Sequence, residues 1–267
     1  MMRARIMRLV YFSPTGTSRR IVRGIGQGLG LKTCEELDLT GPARLAAPPS
    51  DKDVLTVVGA PVYAGRLPAE AVHRLRRLRG AGGPAVVTVT YGNRAFEDAL
   101  LELRDLAGEL GFVPVGGGAF VGEHSYSSPE TPIASGRPDG KDLRAARDFG
   151  RAVAAKLGWL GDLAAWTPLS VPGDFPYRES GLSGGVAPRT LPELCEACGQ
   201  CATACPMGGI RLDGGAVLTE AARCIRCCAC VKGCPSGARV FDHPALLETA
   251  RRLAATCRER REPETFL

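Results

Sequence analysis

Eight cysteines near the end of the chain share one spacing, used twice. CEACGQCATACP places Cys195, Cys198, Cys201 and Cys205 before Pro206, and CIRCCACVKGCP places Cys224, Cys227, Cys230 and Cys234 before Pro235. Each stretch reads C-x2-C-x2-C-x3-C-P, the spacing of bacterial proteins that carry two [4Fe–4S] clusters. Three thiolates on one tight loop can cap three irons of a cubane. The fourth cysteine, carried off by a short helical turn, ligates the other cluster. The expected sets are Cys195, Cys198, Cys201 and Cys234 for one cluster, and Cys224, Cys227, Cys230 and Cys205 for the other. This crossing makes the clusters neighbours, so electrons can hop between them. Zinc competes, because four cysteines in C-x2-C pairs also bind it. Two triplets each trailed by C-P, with no histidine in the block, favour iron–sulfur. Of eleven cysteines, Cys34, Cys228 and Cys257 are left over. With Cys228 as a ligand the second run would read C-x3-C-x-C, and a single residue between two thiolates spans adjacent cubane corners poorly. Cys228 is therefore expected to face away from its cluster. All three are expected to pack as small hydrophobes.

A second stretch, YFSPTGTSRR, sets Ser13, Thr15, Thr17 and Ser18 around Gly16, between an apolar run and a helical pattern. Backbone N–H groups and hydroxyls at a helix start can surround a phosphate dianion, and Gly16 lets the backbone come close. The lysine of G-x-x-x-x-G-K-[ST] is missing. A neutral loop suits one terminal phosphate, such as that of FMN; an unliganded hydroxyl-rich N-cap is the alternative.

Two further loops follow apolar runs, where ligands of open α/β sheets bind. GAPVYAGRLP offers Pro61, Val62, Tyr63, Ala64 and Gly65; VTYGNRAFED offers Tyr91, Gly92, Asn93 and Arg94. Tyr63 and Tyr91 can lie against a flavin ring. Gly65, Gly92 and Asn93 tolerate positive φ and can turn N–H groups toward its edge. Arg66 and Arg94 can neutralise a flavin anion, meet a partner or stay solvated. AFVGEHSYSS brings His124, Ser125 and Tyr126 to the same rim, and His124 and Tyr126 are the candidate proton donors. GIGQGLG, Gly24 to Gly30, cannot be written G-x-G-x-x-G and reads as a helix end and turn.

These loops need a scaffold. Strands are expected at Met7–Ser13, Cys34–Leu37, Val54–Gly59, Ala85–Thr90 and Val113–Val121, alternating with helices at Ser18–Leu29, Ala69–Leu78, Ala95–Leu110 and Asp142–Leu157. VLTVVGA and AVVTVTY are continuous β-branched runs, as in parallel strands covered on both faces. The alternation predicts an open doubly wound sheet. Glu123 to Pro138 reads as a long loop, a candidate lid. Residues 159–190, rich in Pro, Gly and Ser, read as a linker or wrapping segment. Asp242 is the expected N-cap of a last amphipathic helix after Pro244, and the tail from Cys257 is expected to fray.

A formal charge of +6 lies mostly in the longer part: residues 1–190 carry 24 Lys and Arg against 19 acids, and residues 191–267 carry 10 against 9. RLRRLR, Arg74 to Arg79, and RERR, Arg258 to Arg261, read as solvated helix ends. No basic patch with interleaved aromatics points to nucleic acid. No apolar run is long enough to span a membrane, and the basic start has no cleavage site. A cytoplasmic location is expected, where thiols stay reduced.

Ser13, Thr15, Gly16 and Ser18 fit the T/S-x-T-G-x-T/S phosphate loop, so residues 7–158 resemble flavodoxins; residues 191–241 resemble bacterial ferredoxins. Together the chain resembles the flavodoxin–ferredoxin fusion proteins of anaerobic bacteria and archaea. The resemblance implies a flavodoxin-like doubly wound five-stranded parallel sheet over 1–158, a segment 159–190, a small α+β two-cluster domain over 191–242, and a helix and tail over 243–267. It implies electron transfer between two [4Fe–4S] clusters and FMN, with a redox protein partner or low-potential donor. The alternative is an FMN-dependent reductase of a small substrate.

Overall fold

The computed structural model describes residues 6–31, 33–42, 53–159, 167–179 and 185–267. Strands β1 (Ile6–Tyr11), β2 (Thr33–Asp38), β3 (Val54–Pro61), β4 (Pro84–Tyr91) and β5 (Val113–Val121) pair in parallel in the order β2-β1-β3-β4-β5. That is the flavodoxin-like strand order, whose switch point lies between β1 and β3. Every residue of β3 and β4 is buried, which is why their sequences show no polar alternation. Helices α1 (Thr17–Leu29) and α4 (Gly140–Trp159) close one face over Leu9, Ile21, Ile25 and Phe149; α2 (Ala69–Leu75) and α3 (Ala99–Glu109) close the other over Val58, Leu75, Leu100 and Leu103.

The GIGQGLG stretch is not only a helix end. Gly30 does cap α1 at φ 69°, but Gly24, Gly26 and Gly28 lie inside the helix. A Cβ at Gly28 would stand 2.0 Å from the Arg147 carbonyl oxygen, and one at Gly150 would stand 2.2 Å from the Ile25 carbonyl oxygen. The glycines thus let α1 and α4 touch backbone to backbone.

Residues 167–179 wrap the α3 side. Leu169 joins the core, the Tyr177 hydroxyl donates to Asp105 at 2.7 Å, and the Asp174 and Arg178 N–H groups donate to the Asp98 carboxylate at 2.9 and 2.8 Å. Beyond them come β6 (Arg189–Thr190), α5 (Gln200–Ala204), a hairpin of β7 (Ile210–Asp213) and β8 (Ala216–Thr219), α6 (Ala229–Lys232), β9 (Arg239–Val240) and α7 (Pro244–Thr256). β6 and β9 pair antiparallel.

Three expectations need correction. The tail does not fray: β10 (Glu264–Phe266) pairs antiparallel with Gly117–Ala119 of β5, making a sixth strand. His243, not Asp242, is the N-cap of α7, and the Asp242 carboxylate instead accepts from Arg189 at 2.9 Å. Arg74 is not a solvated helix end; it is 4% exposed, hydrogen-bonded to carbonyls of two other segments and to Glu70.

The tail is held by buried polar groups. Asn93, in the left-handed region at φ 66°, donates to the Cys257 and Glu259 carbonyls, both at 2.8 Å, and accepts from the Arg261 N–H at 3.1 Å. Asp142 is fully buried between Arg137 and Arg260. Removing one cation from a buried pair strands the other charge, at about 3–5 kcal/mol. Arg137→Ala should therefore lower unfolding free energy by about 3 kcal/mol in urea titrations; a loss below about 0.5 kcal/mol would mean the pair contributes as little as a surface one.

Candidate functional site

A cavity of about 670 Å³ lies at the carboxyl ends of β3, β4 and β5. Its walls come from the hydroxyl loop (Thr15, Thr17) and from the loops after the three strands. Ile225 and Arg226 of the second cysteine loop, with Leu246, Thr249, Arg252 and Leu253 of α7, complete it. Twelve of the residues expected at a flavin reach it: Thr15, Thr17, Pro61, Val62, Tyr63, Ala64, Gly65, Tyr91, Gly92, Arg94, His124 and Tyr126. Ser13, Gly16, Ser18 and Asn93 do not line it.

The hydroxyl loop turns through Gly16 at φ 80° into α1, whose first turn holds no acidic residue. Ser13 Oγ accepts the Arg19 N–H at 3.1 Å. Ser18 Oγ, Thr90 Oγ1 and Tyr91 Oη are buried without a hydrogen-bond partner among the described residues. Buried hydroxyls are normally paired, and a helix start without its own anion suits a phosphate. With Thr15, Thr17 and the unpartnered Thr90 hydroxyl on the cavity wall, the donor set at this helix start fits a phosphate-bearing ligand.

The loop after β3 is a tight turn. Tyr63 and Arg66 exchange backbone hydrogen bonds at 2.9 and 3.1 Å across Ala64 and Gly65, both at positive φ. Asn93 shares that conformation, but Gly92 does not. What Gly92 provides is room: a Cβ there would lie 2.2 Å from the His124 ring. Asn93, expected at the flavin, instead holds the tail, because its amide donates both its hydrogen bonds there. Tyr91 is 3% exposed, and its ring packs on Phe96 at 5.5 Å between centroids. Ending a strand buried on both faces, it packs with the core and also lines the cavity. Arg94 is paired with Glu97 at 2.8 Å, and Arg66 with Glu102 at 2.8 Å.

The Glu123–Pro138 stretch is tied down rather than free. Glu123 and His124 N–H groups donate to the Arg137 and Ile133 carbonyls at 2.8 and 3.1 Å, and Ile133 is buried. His124 Nδ1 accepts the Tyr126 N–H at 3.0 Å, which leaves the ring proton on Nε2 in the neutral form. Burial, with Lys232 and Arg94 nearby, pushes His124 down to about 4. It is a neutral imidazole at pH 7, not the imidazolium acid. Burial, then Cys228, pushes Tyr126 up to about 12, so its phenol keeps its proton. Tyr63 is raised well above its ordinary value by burial and by Cys227 and Cys228.

A smaller cavity is walled by Cys205, Cys224, Cys227 and Cys230. These are three thiols of the second motif and the last of the first, and Cys228 lines the same cavity. Burial pushes the Cys227 thiol up to about 12 and raises Cys224 and Cys230. Such thiols lose their protons readily only to a metal that takes the charge. The other set is more open: Cys198 is exposed, Cys195 and Cys234 are half-buried, and Cys201 is buried.

The two motifs repeat in backbone as well as in spacing. Ala197 and Gly199 stand at φ 51° and 76°; their counterparts Arg226 and Cys228 stand at 56° and 58°. Cys228 thus occupies the left-handed place that glycine takes in the first loop. It is 3% exposed and borders the smaller cavity, with its Sγ donating to the Arg226 carbonyl at 3.7 Å. Cys257 is half-buried. The side chain of Cys34 lies outside the described residues.

Residues 187–235 match the family described as 4Fe-4S dicluster domain. Solved structures similar to the chain include flavodoxin 1 from Bacillus cereus, at 15% identity and TM-score 0.40, covering 57% of this chain and 97% of that one. A flavodoxin from the domain Archaea aligns at 14% identity and TM-score 0.37, covering 57% and 99%. The rubredoxin oxygen:oxidoreductase of Desulfovibrio gigas aligns at 11% identity and TM-score 0.38, covering 58% and 37%. At such values the fold assignment rests on strand order alone. No curated protein matches the chain. The chain pairs a flavodoxin-like sheet with a dicluster segment. No helix among the described residues is long and apolar enough to cross a membrane.

Cys228→Ala should keep about eight irons per chain and Cys227→Ala should lose about four; iron and sulfide assays decide, and the reverse pattern would reassign the ligand. His124 gives a pH test. Between about 6.5 and about 4 the unfolded chain binds a proton at this residue and the folded chain does not. Stability should fall as pH drops through that window, by on the order of 3 kcal/mol. Urea unfolding of His124→Gln should show a smaller drop than wild type; equal drops would place the imidazole in solvent.

Proposed function

We propose that this protein transfers electrons between two [4Fe–4S] clusters, held by the crossed cysteine sets, and FMN held in the larger cavity. A redox protein partner or low-potential donor supplies or takes the electrons. One observation carries the reading: Ile225, next to Cys224 in sequence, lines both the larger cavity and the cavity of the Cys205, Cys224, Cys227 and Cys230 thiols. When bound, the clusters carry single electrons and the flavin takes one or two. Thr15, Thr17 and the start of α1 are suited to the phosphate. Tyr63 and Tyr126 line the cavity and are close enough to Cys227 and Cys228 for those thiols to raise both phenols. Leu246 and Leu253 of α7 cover the cavity with apolar surface, which keeps water from the ring.

The second reading, an FMN-dependent reductase that uses the clusters as an internal relay to a small substrate, is favoured by the cavity volume and by His124 and Tyr126 on its wall. In that case the neutral Nε2–H of His124 or the phenol of Tyr126 supplies the proton.

Protein purified without oxygen should release FMN on denaturation, together with about eight irons and matching sulfide. Stopped-flow reduction should give a flavin rate independent of protein concentration. Release of FAD, or of no flavin, would sink the reading. A rate that scales with concentration would place the transfer between molecules.

A further inference from the structure

Arg74 lines neither cavity, yet it is buried where both are built. Its Nε donates to Glu70 within α2 at 2.7 Å. Its Nη1 donates to the carbonyls of Leu39 at 2.8 Å, Thr40 at 2.6 Å and Gly41, all in the turn after β2. Its Nη2 donates to the Pro206 carbonyl at 2.5 Å. Pro206 follows Cys205, and both border the smaller cavity. The turn after β2 leads to the other cavity. Thr40 Oγ1 accepts the Ser13 N–H at 2.8 Å, and Ser13 Oγ accepts the Arg19 N–H in the first turn of α1. Pro42 of the same turn lies beside Gly208, just past the first cysteine motif.

We infer that Arg74 is a positioning residue that ties the hydroxyl loop to the loop carrying Cys205, so that one side chain sets the flavin site and one cluster site relative to each other. This rests on the proposed function. The planar guanidinium fork serves carbonyls of two separate segments and a carboxylate from three nitrogens at once; a lysine ammonium has one nitrogen to share among them. The Leu39 and Pro206 carbonyls it satisfies are buried, one in each loop, so losing it frees both loops together.

The test uses the purified holoprotein and its flavin-depleted form, read by FMN titration and by electron paramagnetic resonance of the reduced clusters. Arg74→Gln should raise the FMN dissociation constant about tenfold, equal to about 1.4 kcal/mol, and should change the signal of one cluster while iron content stays at the wild-type value. Thr40→Val, which cuts only the link to Ser13, should weaken FMN and leave both cluster signals unchanged. Wild-type behaviour of Arg74→Gln in either readout, or of Thr40→Val in FMN affinity, overturns the inference. Should Arg74→Gln fail to fold, Arg74→Lys must show both changes to a smaller degree, and a wild-type result there overturns it equally. A wild-type protein that binds no FMN would instead overturn the proposed function.

Discussion

Asn93 is buried, and its side chain has no water to turn to. A buried amide needs partners at both its ends, and this one finds the Cys257 and Glu259 carbonyls and the Arg261 N–H. Much follows from that requirement. With residues 257–261 pinned at the carboxyl end of β4, α7 is held over the large cavity, and the last residues run along β5 as β10. The added strand covers an edge of the sheet that would otherwise expose unpaired backbone groups. Arg260, reaching Asp139 and the fully buried Asp142, adds a charged lock to the same tail.

The dicluster segment sits against this frame through few but well-placed contacts. The Lys232 ammonium pairs with Glu123 and donates to the Ser127 carbonyl at 2.8 Å. Burial alone would raise the Glu123 carboxyl; Lys232 and the Gly136 N–H outweigh it and hold the group below its ordinary value. Tyr126 meets Phe241 edge to face at 6.3 Å, and Ile225 packs on the core of the α2 and α3 side. The second cysteine loop is the one that faces the sheet, which explains why its thiols are the more buried of the two sets. The first loop, with Cys198 exposed, faces outward.

Within that segment the repeat of left-handed positions sets a local constraint. Each loop must reverse direction twice to present three thiols inward. Glycine meets this at Gly199 without strain, whereas Cys228 meets it at a modest conformational cost. The Cys228 thiol is engaged by the Arg226 carbonyl within its own loop.

The sequence by itself determined the local features. Cysteine spacing, the hydroxyl loop, the two apolar β-branched runs and the helical periods are short-range patterns, and the parallel sheet and the dicluster segment follow from them. Long-range partnerships had no such signal. Arg74 reads as one cation in a basic run until the fold brings Pro206 to it, 132 positions away in the chain. Tyr91 reads as a rim residue, and only the fold shows that it also packs in the core against Phe96. The charged tail reads as loose because its partners, Asn93, Asp139 and the β5 edge, lie more than a hundred residues earlier. Spacing reports chemistry that neighbours in sequence perform together. Burial, and the hydrogen-bond partners it demands, is decided only when distant segments meet.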